Sequence, residues 1–348
     1  MTGSDRFASH LDKSAQEHYN EGKTLCKNGR YEEALAHLQA AASRTPASAA
    51  AHFWIGKAHM GQGDGAAALA SLQESTRLDP ANAKPYIEMG TVYFGDDQLG
   101  AALASFRQAE RLAPHSAEPL REVAAVLIQQ YQYDAALDEL QRALALEQGE
   151  ALTHILFGRV YELKGMAKQA DQAYREAERL DPRVYAQAQV ANGAQLEATG
   201  RFDDAIKQYQ AATLTNPAFF DAFLRLGNAN LAKHFVTAAA DAFRAAVSLD
   251  PNSYIAHYML GWTLLEKSQV NLKALLFRAK SVPSEECVRS LRRAVELCPS
   301  EAAARYALGK AYRAAGVRHL AREQLEQALV LDPNGEGAAS ARESLRTL

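Results

Sequence analysis

Residues 83–116 read AKPYIEMGTVYFGDDQLGAALASFRQAERLAPHS, and the architecture of the chain can be worked out from this stretch. In its first half, Tyr86, Met89 and Tyr93 recur at intervals of three and four residues, so they share one face of a helix. A glycine and two aspartates then interrupt the pattern. The second half resumes the helical spacing and closes at Pro114, which cannot continue a helix. The stretch predicts two antiparallel helices joined by a short turn.

The same pattern recurs along nearly the whole chain. Three columns of residues repeat at a spacing of 34, apart from one step of 35 and one of 48. The columns are Pro46, Pro80, Pro114, Gln148, Pro182, Pro217, Pro251, Pro299 and Pro333; Gly22, Gly56, Gly90, Ala124, Gly158, Gly193, Gly227, Gly261 and Gly309; and Ala34, Ala68, Ala102, Ala136, Ala170, Ala205, Ala239, Cys287 and Ala321. The small residues of the last two columns predict a close crossing of two helices. A single hairpin cannot bury its apolar face, so the nine units must stack to form a core.

These columns resemble the tetratricopeptide repeat, a helical hairpin of 34 residues. The likeness includes the Leu-Gly pairs at 226–227, 260–261 and 308–309 and a tyrosine three residues after the glycine, as at Tyr93, Tyr161 and Tyr312. Histidines replace the family's aromatic residue at repeat position 4 in four units, namely His18, His52, His154 and His257. The pentatricopeptide RNA readers are a near alternative, and the proline column and the 34-residue step argue against them.

The resemblance implies an all-α, right-handed α-solenoid of nine helix-turn-helix repeats. We expect an N-terminal arm over residues 1–14, a single array over 15–335 and a capping helix over 336–348. Within that last helix, Ala341, Leu345 and Leu348 are expected to face inward, since they recur at helical spacing.

In tetratricopeptide arrays the first helices line a concave groove through repeat positions 2, 5, 9 and 12. Placing this sequence on that register implies a basic, aromatic-rich groove with few acidic residues. The candidate peptide-binding residues are Tyr19, Lys23, Phe53, Lys57, Lys84, Phe94, Arg121, Arg159, Asn228, Tyr258, Trp262, Tyr306, Lys310 and Arg313. Such a surface suits a protein or peptide that is acidic or carries a free C-terminal carboxylate. Scattered solvated side chains are the alternative reading. The carboxylate clamp of heat-shock co-chaperones needs a Lys/Asn pattern that no three successive repeats provide.

The eighth repeat carries an insertion of 14 residues, since Gly261 and Pro299 are 38 residues apart against the usual 24. The added stretch, near 266–279, has no proline or glycine and predicts a longer first helix, with Ser281 or Ser284 capping the second. Four of its apolar residues are candidates for docking a partner: Val270, Leu272, Leu276 and Phe277. The alternative is that they fold back on a neighbouring repeat.

Composition excludes several classes of function. The chain has 348 residues and a formal net charge of -3, which gives no global reason to bind nucleic acid. No phosphate loop, catalytic elbow or metal-binding motif is recognisable, so we expect a protein without catalysis, cofactor or metal. His52 and His59 share a helical face, and packing is favoured over a metal site. Without a long apolar run or a signal segment, a cytoplasmic location without membrane insertion is predicted.

The three cysteines, Cys26, Cys287 and Cys298, are too few and too scattered for a disulfide scaffold. Cys287 stands in the small-residue column and is expected to be buried, whereas Cys26 is expected to be accessible.

Three hypotheses about function follow. The first is a non-catalytic scaffold or adaptor that holds a partner polypeptide in the groove. The second is self-assembly into a homo-oligomer through the array ends or the extension of repeat eight. The third is a substrate-selecting subunit of a separate enzyme, as in the repeat half of protein O-GlcNAc transferase.

Overall fold

The computed structural model describes residues 13–274, 282–335 and 337–348. Within these residues the chain forms nineteen α-helices and no β-strand. The helices are α1 (Lys13–Lys27), α2 (Tyr31–Arg44), α3 (Ala49–Gln62), α4 (Gly65–Leu78), α5 (Ala83–Gly95), α6 (Leu99–Leu112), α7 (Glu118–Gln129), α8 (Tyr133–Leu146), α9 (Ala151–Leu163), α10 (Ala167–Leu180), α11 (Pro182–Ala198), α12 (Phe202–Thr215), α13 (Phe220–Ala232), α14 (Val236–Leu249), α15 (Tyr254–Ala274), α16 (Glu285–Leu297), α17 (Ala302–Ala314), α18 (Arg318–Leu331) and α19 (Ala338–Arg346). Odd-numbered helices up to α17 open a repeat and even-numbered helices close it. The fold is an all-α solenoid of helical hairpins, as predicted.

The chain divides into two compact units, residues 1–181 and 182–348. The first unit contains the hairpins from α1 to α10, and its largest core cluster includes Phe106, Val123 and Leu140. The second contains the hairpins from α11 to α18 and then α19, with a core cluster that includes Phe243 and Leu291. A single continuous array over residues 15–335 stays a prediction.

In eight of the nine hairpins, all but the one with Ala124, a glycine of the first helix faces a large side chain of the second. A Cβ on Gly90 would lie 2.4 Å from Cε1 of Phe106, so a larger residue does not fit without a shift. The other pairs are Gly22–Leu38, Gly56–Leu72, Gly158–Tyr174, Gly193–Tyr209, Gly227–Phe243, Gly309–Leu325 and, across the insertion, Gly261–Leu291. The predicted close crossing is therefore confirmed. Cys287 is fully buried, as expected, and its Sγ donates to the carbonyl of Gly261 at 3.2 Å.

The turn inside each hairpin depends on one residue with a positive φ. Glycine fills this position at Gly29, Gly63, Gly165, Gly200 and Gly316, whereas Asp97, Tyr131 and His234 fill it in three other repeats. Non-glycine residues adopt this left-handed conformation at a cost of about 1–2 kcal/mol. In repeat eight the equivalent residue is Ser268, which lies inside a helix. The predicted extension of that first helix is confirmed as far as Ala274, where α15 ends.

The ends of the elements refine three expectations. The side chain of Ser284 caps α16 by accepting from the backbone N–H of Cys287 at 3.2 Å, as predicted. Cys26 is buried rather than accessible, because α1 packs against the core there. In α19 the fully buried positions are Ala338, Ala341 and Ser344, and Leu345 is half-buried.

Candidate binding surfaces

Side chains of the odd-numbered helices form what we call the first-helix surface. In the first unit, α1 and α3 bring together Tyr19, Lys23, Lys27, Phe53 and Trp54, the Trp54 cluster. The rings of Phe53 and Trp54 meet edge to face with centroids 5.7 Å apart. The Nζ atoms of Lys23 and Lys27 lie 5.7 Å and 5.9 Å from the centroid of the Trp54 ring, within range of a cation–π interaction. Tyr19 is 4% exposed, and this burial raises the pKa of its hydroxyl despite a hydrogen bond with Trp54.

The Trp54 cluster contains three of the predicted residues and two that sequence reasoning missed. Trp54 lies one residue after the predicted Phe53, and Lys27 lies one residue past position 12 of the first repeat. None of the four groove positions taken from the family therefore falls on Trp54 or Lys27. The signal that finds Trp54 is its size, since a tryptophan next to a predicted groove residue marks a large contact area.

Other cations predicted to face the groove are already paired. Lys57 Nζ lies 2.7 Å from Glu88 Oε1, which joins α3 to α5. Both side chains are partly buried. The pKa of the Cys26 thiol is raised, chiefly because the thiol is buried. The charge of Lys57 lowers that pKa and the charge of Glu88 raises it. Arg121 is only 12% exposed and its Nη1 contacts Glu147 Oε2 at 3.0 Å. The basic character predicted from the family's groove positions is thus partly cancelled.

The remaining predicted residues of the first unit are spread along the helices. Lys84 is exposed on α5, and Phe94 packs against the core at the end of the same helix. Arg159 is half-buried on α9. The structure does not place these three in the Trp54 cluster.

Glu122 on α7 is an acidic member of the first-helix surface that the sequence did not reveal. Burial raises the pKa of its carboxyl, Glu118 and Glu88 raise it further, and Arg121 lowers it. Glu122 and Glu88 occupy the same register position in successive repeats. The first-helix surface therefore carries the carboxylates of Glu88 and Glu122 as well as lysines.

In the second unit, α15, α17 and α19 enclose a cleft of about 490 Å³, the Trp262 cleft. Tyr258 and Trp262 lie side by side on α15 with ring centroids 6.3 Å apart. Lys310 Nζ lies 4.9 Å from the Trp262 ring and 5.4 Å from the Tyr306 ring. Four of the five aromatic and basic residues predicted on these helices are therefore brought together, and the fifth is Arg313.

One wall of the Trp262 cleft comes from the chain around α19. The Tyr306 hydroxyl donates to Ser340 Oγ at 2.6 Å, and Arg313 Nη1 donates to Ser344 Oγ at 2.8 Å. A Cβ on Gly337 would lie 3.0 Å from the Tyr306 ring, so the backbone approaches the ring closely. Glu301 and Asp332 add carboxylates to the lining. Asn228 is exposed on α13, outside the residues that line this cleft.

A further feature of the first unit lies between second helices. Arg107 and Glu110 of α6 and Glu139 and Arg142 of α8 form a closed set of four ion pairs, the ion-pair ring, with distances of 2.5–2.8 Å. Although burial raises the pKa of Glu110, hydrogen bonds from Arg107 and Arg142 lower it overall. The ring borders a groove of about 440 Å³.

Several predictions concern residues whose side chains the structure does not describe. Leu276 and Phe277 lie outside the described residues, and Val270 and Leu272 are described only as backbone of α15. Among the residues that are described, no three His, Cys, Asp or Glu side chains are placed to hold a metal ion. Over the same residues, no helix combines the length and apolar character needed to cross a bilayer.

Comparison with known families decides the identity of the repeats. A tetratricopeptide-repeat family model matches residues 19–83, 190–253 and 224–283, and a second model of the same description matches 152–184. The chain belongs to the tetratricopeptide-repeat family. No curated protein gave a significant match to the sequence.

Several solved structures are similar to parts of this chain at low sequence identity. A tetratricopeptide repeat protein from Parabacteroides merdae is 17% identical, with 72% of this chain and 99% of that chain covered and a TM-score of 0.48. The C-terminal part of a repeat-containing protein from Cytophaga hutchinsonii is 16% identical, with coverages of 73% and 98% and a TM-score of 0.45. MamA from Desulfovibrio magneticus is 20% identical, with coverages of 49% and 97% and a TM-score of 0.44.

Two of the four histidines at tetratricopeptide-repeat position 4, His52 and His257, contact the links between repeats. His52 Nε2 lies 3.3 Å from the carbonyl of Pro46, and His257 Nε2 lies 3.1 Å from that of Pro251. In each pair the proline precedes the histidine by six residues. In the first repeat, His18 Nδ1 instead lies 3.2 Å from His37 Nδ1. At His52 and His257, a polar contact to the link between repeats therefore replaces the aromatic packing that the family pattern implied.

Proposed function

We propose that this chain is a non-catalytic adaptor that binds a partner polypeptide on its first-helix surface, with the Trp262 cleft as the main contact. Tetratricopeptide repeats generally serve as protein-interaction scaffolds, and membership of that family supports the coarse role. The observation that supports the cleft is the position of Lys310 over two half-buried rings. Aromatic side chains in a desolvated recess are the residues that dominate binding energy at protein interfaces.

The expected contact is an apolar side chain of the partner between Tyr258 and Tyr306. The cleft volume of about 490 Å³ suits one or two such side chains. Ala338 and Ala341 of α19 add an apolar wall, and the partner backbone would meet Lys310 and the carboxylates at the rim.

The partner's charge is a finer part of the proposal. An acidic segment or a free C-terminal carboxylate would be held by Lys23 and Lys27 at the Trp54 cluster and by the exposed Lys84. Lys57 and Arg121 contribute less than their sequence positions imply, because Glu88 and Glu147 already neutralise them.

The test captures partners with the full chain and compares Trp262→Ala with Phe235→Ala. Phe235 is 50% exposed and lies at the start of α14 in the same unit, so it controls for loss of any exposed ring. A bound protein that is depleted at least about fivefold by Trp262→Ala, and not by Phe235→Ala, supports the cleft. Equal capture by both variants contradicts it, provided that circular dichroism finds the two equally folded.

Self-assembly through the array ends or the repeat-eight extension stays a prediction. Light scattering over a concentration series tests it, and a constant monomer mass would contradict it. The role as a substrate-selecting subunit of a separate enzyme and the cytoplasmic location stay predictions as well.

A further inference from the structure

The second unit has its own groove between second helices, at the same place in the repeat as the groove beside the ion-pair ring. It lies between α14 and α16, with its floor on α15, and has a volume of about 790 Å³. Arg244, Arg289, Arg292 and Arg293 line it, together with Glu286 and Glu296. We call it the arginine groove.

The repeat register aligns the two grooves residue by residue. Arg107 and Arg142 of the first groove correspond to Arg244 and Arg293 of the second. The two carboxylates of the ion-pair ring are lost, because Val247 stands in place of Glu110 and Ser290 in place of Glu139. The two arginines are kept, while the two glutamates that pair with them in the ion-pair ring are absent.

Two of these arginines find other partners on their own side of the groove or across it. Arg244 contacts Glu286 at 2.7 Å and Asp241 at 2.6 Å. Arg293 contacts Glu296 at 3.2 Å and donates to Asn252 Oδ1 at 3.1 Å. These contacts hold both guanidinium groups in place along the groove.

The other two arginines have no carboxylate of their own. Arg292 is exposed and donates to the hydroxyl of Tyr312 at 3.2 Å. Arg289 is exposed and forms no ion pair with any residue of the described part, although its charge helps to lower the pKa of Glu286. Since they are three residues apart on α16, they point to the same side of the helix.

We infer that the arginine groove binds an acidic segment of a partner polypeptide. The groove is several times larger than a single oxyanion needs, and its floor includes the apolar Val247, Pro251 and Leu260. An extended acidic peptide presents a carboxylate at every second residue, about 6.6 Å apart, which matches a row of guanidinium groups better than one ion does. This surface lies on the second helices, so the inference goes beyond the first-helix binding proposed above.

The test measures fluorescence anisotropy of a labelled decapeptide of alternating glutamate and alanine with the full chain at low salt. The matched probe replaces every glutamate with glutamine. We expect the acidic probe to bind and the neutral probe not to bind. The double variant Arg289→Ala with Arg292→Ala should weaken binding by at least about tenfold.

A second double variant tests the comparison between grooves. Val247→Glu with Ser290→Glu restores the two carboxylates of the ion-pair ring and should also weaken binding by about tenfold or more. The homologous Glu139 is itself 8% exposed in the first unit, so a glutamate at this register position is compatible with the fold. Thermal melting by circular dichroism checks that both double variants are folded.

Three outcomes would overturn the inference: no binding of the acidic probe, unchanged affinity after loss of Arg289 and Arg292, or loss of affinity on Lys23→Gln with Lys310→Gln instead. The last outcome would place the probe on the first-helix surface. Failure of the Trp262→Ala experiment leaves this result untouched, because the Trp262 cleft and the arginine groove share no lining residue.

Discussion

The ion-pair ring and the arginine groove occupy the same place in two pairs of repeats, and they differ in their charged side chains. Glu110 and Glu139 close a neutral set of contacts in the first unit, whereas the uncharged Val247 and Ser290 take their places in the second. The four helices that carry them have 13 or 14 residues each. In this chain the helical hairpin recurs with a similar backbone. Individual charged residues decide whether the arginines of a groove are paired within the chain or available to a ligand.

The largest expected effect concerns the glycine contact that holds the two helices of a hairpin together. Gly90→Ala should lower the free energy of unfolding by about 2–3 kcal/mol, because its Cβ would lie 2.4 Å from the Phe106 ring. Thermal or urea unfolding measures this loss.

The matched control for that variant is Gly100→Ala on α6. A Cβ there meets nothing within 4 Å, and alanine favours the helix by about 1 kcal/mol. Equal stability of the two variants would show that the glycine does not hold the hairpin.

The next effect breaks the ion-pair ring. Glu110→Val with Glu139→Ser gives the first groove the residues that the second has at these two positions, and it should cost about 1–2 kcal/mol of stability, since two arginines lose their carboxylates. The loss should shrink at high salt, which urea melts at low and high ionic strength can measure. If this variant also gains affinity for the acidic decapeptide, the two glutamates are what keeps the first groove from binding an acidic peptide. A salt-independent loss would contradict the electrostatic account.

A smaller effect is expected at the turn between α7 and α8 in the first unit. Tyr131 is 79% exposed with a φ of 61°, so Tyr131→Gly removes backbone strain and almost no burial. We expect a gain of about 1 kcal/mol, measured as a higher melting temperature. The reverse change at Gly316, which has a φ of 79°, should destabilise by a similar amount when alanine is introduced. A loss of stability in Tyr131→Gly would contradict the role assigned to this position.

The smallest effect is a pH dependence within the first unit. Burial raises the pKa of Glu122 above its ordinary value of 4.5, so the protonated form favours the folded state. Its stabilising contribution is complete below pH 4.5 and is lost as the pH rises through the raised value. Glu122→Gln should therefore raise the melting temperature at neutral pH by about 1–3 °C and make no difference near pH 4. The control is Glu17→Gln, at an exposed glutamate of α1. A uniform shift at all pH values would point to packing instead.

Much of the fold follows from the sequence because it depends on steric columns. Gly90 and Ala102 have to be small for two helices to cross, and that requirement recurs at a fixed spacing. The turn column is harder to recognise, since Asp97, Tyr131 and His234 replace glycine there and hide the period.

The binding surfaces are less accessible from the sequence, because they depend on which charges meet across repeats. Lys57 and Glu88 are 31 residues apart in the chain, and only stacking brings them to 2.7 Å. Arg107 and Glu139 are 32 residues apart for the same reason. Counting cations on groove positions therefore overestimates how basic the surface is, and it misses Trp54, which no register position singles out.

The contact between Gly261 and Leu291 has a consequence for protein engineering. In the other repeats the two partners are separated by sixteen residues, yet here the pair re-forms across an additional 14. A hairpin can thus accept foreign sequence at its turn without losing the contact that joins its helices. The turn at Gly63 or Gly200 should accordingly serve as an insertion point for a guest peptide or a small domain.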